Sequence, residues 1–169
     1  MMLLGIDPGV TGAVAVFVDG VFDSVHDMPF MTEPKKTKKR VDPDELADLL
    51  TGAMAFHNEF HDDVCAYIEQ AHAMPQQGVS SVFGYGRTMG VIEGVLAGIG
   101  VINVYKVCPA RWKRALGLVG KGNPKDADLQ LARKLYPNAY LNLQKHHNRA
   151  DAILIGHYAG MLNGVICAS

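Results

Sequence analysis

Cysteine is scarce in this chain. Its 169 residues hold three, Cys65, Cys108 and Cys167, an odd number with no Cys-x-x-Cys spacing and apolar neighbours. That pattern speaks against a disulfide framework or a zinc ribbon and is read as three reduced core thiols. Long apolar runs are also missing. Gly or charge interrupts each one well before the ~18 residues a membrane span needs, and the N-terminus lacks the basic region and cleavage pattern of a secretory signal. A soluble cytoplasmic protein with no membrane contact is expected. There is no internal repeat and no obvious linker, and at 49% hydrophobic the chain is long enough for one core and short for two. One domain over 1–169 is expected.

Excess charge is absent as well, since the formal net charge of -1 excludes a uniformly basic nucleic-acid binder. The distribution along the chain is uneven, however. Residues 41–105 carry nine acids and one base, whereas 106–134 carry eight bases and two acids, and 35–40 add five more positive charges. Local basic patches bind phosphate backbones whatever the average charge; a solvated loop and helix face is the plainer alternative.

Apolar alternation and turn residues predict strands near 3–7, 12–18 and 21–28, with Asp19-Gly20 as a tight turn between the second and third. Residues 29–41, with no apolar period, predict a mobile loop. Asp42-Pro43-Asp44-Glu45 supplies a cap, a first-turn proline and a third-position Glu for a helix to about Phe60. A strand ending at Glu69 follows, then a helix over 80–99, a strand over 101–105 and a short helix from Pro109. Asn123-Pro124 is expected to open a helix to about Tyr136, and a last helix starts near Arg149. Gly86, Gly90, Gly94 and Gly98 form one stripe of the 80–99 helix, where either a second copy of the chain or its own sheet could approach closely.

Three acids stand alone in apolar surroundings, each at the end of an element. Asp7 closes the first strand before Pro8-Gly9, Glu69 closes Val64–Ile68, and Asp151 opens the apolar run Ala152–Ile155. Singly, each has a structural explanation as a turn former, a strand end or a first-turn acid. Together they suggest one site. Gly5-Ile6-Asp7-Pro8-Gly9, Ile68-Glu69-Gln70 and Ala150-Asp151-Ala152 resemble the three acidic motifs of Holliday-junction resolvases of the RuvC type, in their order and spacing across most of the chain.

The resemblance implies an α/β, ribonuclease H-like fold: a mixed five-stranded sheet, its first three strands antiparallel, flanked by helices. It implies a homodimer that nicks four-way DNA junctions symmetrically, leaving 5′-phosphate and 3′-hydroxyl ends. It also implies Asp7, Glu69 and Asp151 as ligands of two Mg²⁺ ions, with Mn²⁺ an alternative, a pair that can activate water and neutralise a phosphodiester transition state. Such resolvases usually carry another Asp, or a His, three residues before the last acid. Here that place is Asn148, preceded by His146 and His147, so the fourth group of the site is His147 or Asn148. This departure is closer to phage-borne members than to cellular ones.

The resemblance further implies that Lys113 and Lys125 contact the DNA backbone, with Arg111, Arg114 and Lys121 nearby. In the loop after Glu69, where such proteins often present a stacking aromatic, this chain has His72 and Met74. Trp112, between Arg111 and Lys113, is read as a core anchor, with base stacking as the alternative. Whether a helicase partner delivers the DNA is not legible. Three rivals remain in view: a nuclease of broader branched-DNA or hybrid specificity, a non-catalytic junction-binding module, and a nucleotide-binding domain of the actin and sugar-kinase type. The last needs a second phosphate loop that this chain lacks. Gly84–Gly90 does not fit a dinucleotide fingerprint, because its final spacing is too long.

Overall fold

Side-chain alternation fixes the centre of the molecule. In strand β1 (Met2–Asp7), Met2, Leu4 and Ile6 enter one buried cluster and Leu3 enters another on the opposite face. Strand β2 (Ala13–Val18) divides in the same way: Ala13, Ala15 and Phe17 face one side, Val14 and Val16 the other. A strand buried on both faces is the middle of a three-layer structure. The computed structural model describes residues 1–32, 39–57, 63–70, 78–120 and 122–167.

The sheet has the order β3-β2-β1-β6-β7, adding β3 (Val21–Asp27), β6 (Val64–Glu69) and β7 (Asn103–Val107). The pairs β1–β2 and β2–β3 are antiparallel, whereas β1–β6 and β6–β7 are parallel. This is the mixed five-stranded sheet expected from the sequence. Asp19 and Gly20 both take positive φ, 49° and 80°, as a two-residue hairpin turn requires.

Helices α1 (Pro43–Phe56) and α2 (Val79–Gly98) cover one face through Leu46, Leu50, Met54, Met89, Ile92 and Leu96. The other face carries α3 (Pro109–Ala115), α4 (Ala127–Leu135) and α5 (His147–Leu162), preceded by a 3-10 turn over Gln144–His146. No helix among the described residues is long and apolar enough to cross a membrane.

Several boundaries differ from expectation. The loop expected over 29–41 contains a small hairpin, β4 (Phe30–Thr32) paired with β5 (Lys39–Val41), too short to show a period. Buried Val41 and the Lys39 ammonium, 3.8 Å from the centre of the Phe30 ring, hold it together. Helix α1 begins as predicted, with the Asp42 carboxylate accepting from the Asp44 and Glu45 amides, but ends at Phe56. Phe60, the expected end, lies outside the described residues.

The strand expected over 101–105 sits two residues later, because the Val101 amide donates to the Leu96 carbonyl and closes α2 instead. Helix α4 starts at Ala127, not at Asn123-Pro124, since the Asn123 amide is turned back to the Gly117 carbonyl. Helix α5 starts at His147, two residues early. All three cysteines are free, but Cys65 and Cys108 are only half-buried and Cys167 is exposed beyond α5, so the expectation of three core thiols fails.

Glycine is required where α5 meets β1. A Cβ on Gly5 would collide with the Ala152 carbonyl and the Gly156 amide, and one on Gly156 would strike the Phe17 ring. The stripe on α2 is different: Cβ atoms on Gly86, Gly90, Gly94 and Gly98 would meet nothing within 4 Å. Close packing against the chain's own sheet does not explain it. Gly5→Ala, with only backbone to push against, is expected to destabilise the fold by about 3 kcal/mol or more, read as a fall in the urea midpoint.

Candidate active site

The period of two that builds the sheet also aims two carboxylates. Leu3 and Asp7 are four residues apart and share the α5-facing side of β1, and Tyr67 and Glu69 share that side of β6. Ile6 pairs with Ile68 across the parallel ladder, so Asp7 and Glu69 end adjacent strands. The indole Nε1 of buried Trp112 donates to Glu69 Oε2 at 2.8 Å, and the Tyr85 hydroxyl donates to the Glu69 carbonyl at 3.2 Å. Trp112 is therefore a core anchor, as read from the sequence, and also orients a site carboxylate. Asp151 precedes Ala152, whose carbonyl lies over Gly5, so the contact between α5 and β1 carries the third acid to the same end of the sheet.

Electrostatics show that the three acids sense one another. Burial, then repulsion from Glu69, pushes the Asp7 carboxyl up to about 7, against an opposing pull from Lys113. Burial pushes Asp151 up to about 8; Lys113 lowers it, while Asp128, Asp7 and Glu69 raise it. Glu69 is raised by burial and Asp128 and lowered by the Trp112 hydrogen bond and Lys113. Lys113 is thus the cation common to the group. Its Nζ lies 2.6 Å from Asp128 Oδ2.

The donor set suits a hard divalent cation. It consists of carboxylate oxygens, and Asp151 Oδ1 is buried with no hydrogen-bond partner. Among the described residues no group of three or more His, Cys, Asp or Glu side chains is placed to hold a metal ion by itself. Mg²⁺ takes few protein ligands and retains several waters.

The remaining predicted residues are distributed unevenly. His147 and Asn148 occupy the first turn of α5, half-buried. The Asn148 amide donates to the Thr11 carbonyl, which ties the helix start to the turn after β1. Arg111, Arg114 and Lys125 are exposed, whereas Lys113 is half-buried. Lys121, His72, Met74 and Lys35–Lys38 of the basic run lie outside the described residues.

Sequence reasoning missed three features. Asp128 joins the carboxylate group from α4, where it looks like any first-turn acid. Asp27 at the end of β3 takes a two-pronged bond from Arg149 at 2.5 and 2.7 Å, fastening α5 from its other side. Finally, a cavity of about 1130 Å³ begins at Pro8, Gly9 and Val10 beside Asp7 and carries Lys39, Arg40 and Arg87 on its walls. Only Lys39 and Arg40, in the basic run, gave a signal in sequence.

The raised carboxyls make stability depend on pH. From about pH 4 to about pH 8 the folded chain keeps protons that an unfolded chain, with carboxyls near 3.8, has released, so metal-free stability falls as pH rises through that window. In EDTA, the fall in Tm from about pH 5 to about pH 9 is expected to be smaller for Asp151→Asn than for the parent chain, and Mg²⁺ is expected to raise the parent's Tm most at the alkaline end. Equal slopes for the two chains would show that Asp151 is not held protonated.

No family model matches the chain. Over 96 residues it is 40% identical to the chloroplastic Holliday junction resolvase MOC1 of Chlamydomonas reinhardtii, a match covering 55% of this chain and 10% of that protein. The chain thus spans about a tenth of that relative. Among solved structures it superposes on RuvC of Thermus thermophilus with a TM-score of 0.56 at 17% identity, over 97% of this chain and 96% of that one. It superposes on T. thermophilus RuvC in complex with a Holliday junction substrate with a TM-score of 0.59 at 16% identity, over 96% and 94%. With the sheet order and the flanking helices, these superpositions identify the fold as ribonuclease H-like, of the RuvC type.

Proposed function

We propose that this chain is a metal-dependent endonuclease that nicks branched DNA, four-way junctions above all, acting as a homodimer. What supports this reading is that Asp7 and Glu69 end adjacent parallel strands and that the close contact of α5 with β1 brings Asp151 to the same end of the sheet. Asp7, Glu69 and Asp151 would hold the cations, with His147 or Asn148 beside them; when bound, two divalent ions supply Lewis acidity and charge neutralisation at phosphorus. Water attacks in line, the new P–O bond forms as the P–O3′ bond breaks, and the 3′ oxygen leaves as a hydroxyl.

The protein's own part is positioning. Trp112 holds Glu69 in one orientation, Asn148 and Arg149 fix the start of α5, and Lys113 presents a cation to the phosphate backbone. Arg111 and Arg114 on α3 and Lys125 before α4 are exposed and would extend that surface, and the resemblance assigns Lys121 the same role. Lys39, Arg40 and Arg87 line the cavity that begins at Pro8, Gly9 and Val10, next to Asp7 in sequence, and would form a second cationic flank. His72 belongs to the stretch that would meet the bases. The open glycine stripe of α2 suits a symmetric pairing of helices, which would offer two sites to two related strands.

Two outcomes are expected. Mapped on a synthetic four-way junction in Mg²⁺ or Mn²⁺, the chain gives paired nicks at symmetric positions, and Asp7→Asn abolishes them while retaining binding. Binding without nicks by the unaltered chain would favour a non-catalytic module; equal cutting of three-way, flap or hybrid substrates would favour a broader nuclease. Junction affinity should also fall by roughly a factor of a hundred or more between about 50 and 200 mM salt, because several lysines and arginines displace counterions. A flat salt response would remove the phosphate-binding role of the two flanks.

A further inference from the structure

Lys113 and Asp128 form a close cation–carboxylate contact, 2.6 Å apart and reaching from α3 to α4. The pair is only partly exposed, with 30% of the Lys113 side chain and 22% of the Asp128 side chain accessible. Water therefore screens it less than a surface pair. The ammonium also lies 4.9 Å from the centre of the Trp112 ring, and Trp112 in turn holds Glu69. Asp128 is thus linked to Glu69 through Lys113 and Trp112, and its charge raises the carboxyls of both Glu69 and Asp151.

A lysine on a four-carbon stem has many rotamers, and one 2.6 Å bond to a carboxylate selects among them. An ammonium has three donors, so the bond to Asp128 leaves two for a second acceptor. The carboxylate also adds a negative charge where a phosphate must come. The two effects oppose each other: order favours the reacting geometry, and repulsion weakens binding of the strand. Asn148, tied to Thr11, leaves the site without a fourth acid from α5, and α4 brings one from another direction.

Building on the nuclease reading above, we propose that Asp128 is a positioning residue which aims Lys113 at the scissile phosphate, raising turnover at the expense of DNA affinity.

The test is Asp128→Asn, with Asp128→Glu as the conservative variant. At saturating junction, Asp128→Asn is expected to lower kcat by roughly tenfold to a hundredfold. Its junction Kd, measured in the Asp7→Asn background, is expected to be unchanged or tighter. Lys113→Ala added to Asp128→Asn should cost little more, since both act through one ammonium. Asp128→Glu should recover part of the rate. A purely structural Asp128 would weaken binding and turnover together; that result, or a kcat within twofold of the parent, overturns the proposal.

NMR order parameters of the Lys113 side chain, in the protein free of DNA and metal, supply a readout that needs no activity. They should fall in Asp128→Asn and hold in Asp128→Glu, and no change on removing the carboxylate overturns the positioning role by itself. If the unaltered chain nicks no branched DNA, the nuclease reading fails, and this measurement alone decides whether Asp128 orders Lys113.

Discussion

Asp151 comes near Asp7 because helix α5 lies directly on strand β1. The contact is backbone to backbone: the Ala152 carbonyl and the Gly156 amide occupy the space a side chain at Gly5 would fill. Gly5 is two residues from Asp7, and Ala152 is one from Asp151. The same approach that excludes a methyl group therefore sets how far apart the two carboxylates stand. Asn148 and Arg149 reinforce it one turn earlier by binding the Thr11 carbonyl and Asp27. The start of α5 is thereby fastened to both sides of the strand end that bears Asp7.

The acids themselves oppose this packing. Burial raises all three, and Asp7 and Asp151 rise as far as about 7 and about 8. The apolar layer of Trp112, Leu129, Ile153 and Leu154 on that face must carry the cost. Sites that hold like charges close together commonly give up stability for function. Lys113 relieves the repulsion only in part, for one ammonium serves four carboxylates and already has its shortest bond to Asp128.

Much of the frame was legible in the chain. The first three strands, the Asp19-Gly20 turn, the Asp42 cap and the three isolated acids each follow from local rules of alternation, turn geometry and capping. What stayed hidden depends on distant partners. Asp128 resembles an ordinary first-turn acid until α4 is laid beside α3. The Trp112 indole gives no hint that it will meet Glu69, 43 positions away. The β4–β5 hairpin has three residues a side, fewer than alternation needs to show itself. The stripe on α2 was visible as a spacing, and the open space above it gives no support to packing on the chain's own sheet.

The departure at position 148 has a physical consequence of its own. An aspartate there would add one more charge to the carboxylates around Lys113, yet could not donate to the Thr11 carbonyl, whereas asparagine donates and adds no charge. Fixing the helix start through a neutral amide leaves the site with its negative charge on β1, β6, α4 and α5 instead of doubled on α5. The acids are then divided among four elements: β1 and α5 are held to each other through Gly5 and through Asn148 on Thr11, with Arg149 on Asp27 as a further tie, while β6 and α4 are both held to α3, through Trp112 and Lys113. A displacement of α3 therefore changes Glu69 and Asp128 together, and a shift of α5 on β1 changes the separation of Asp7 and Asp151, so the geometry of this site rests on two shared attachments.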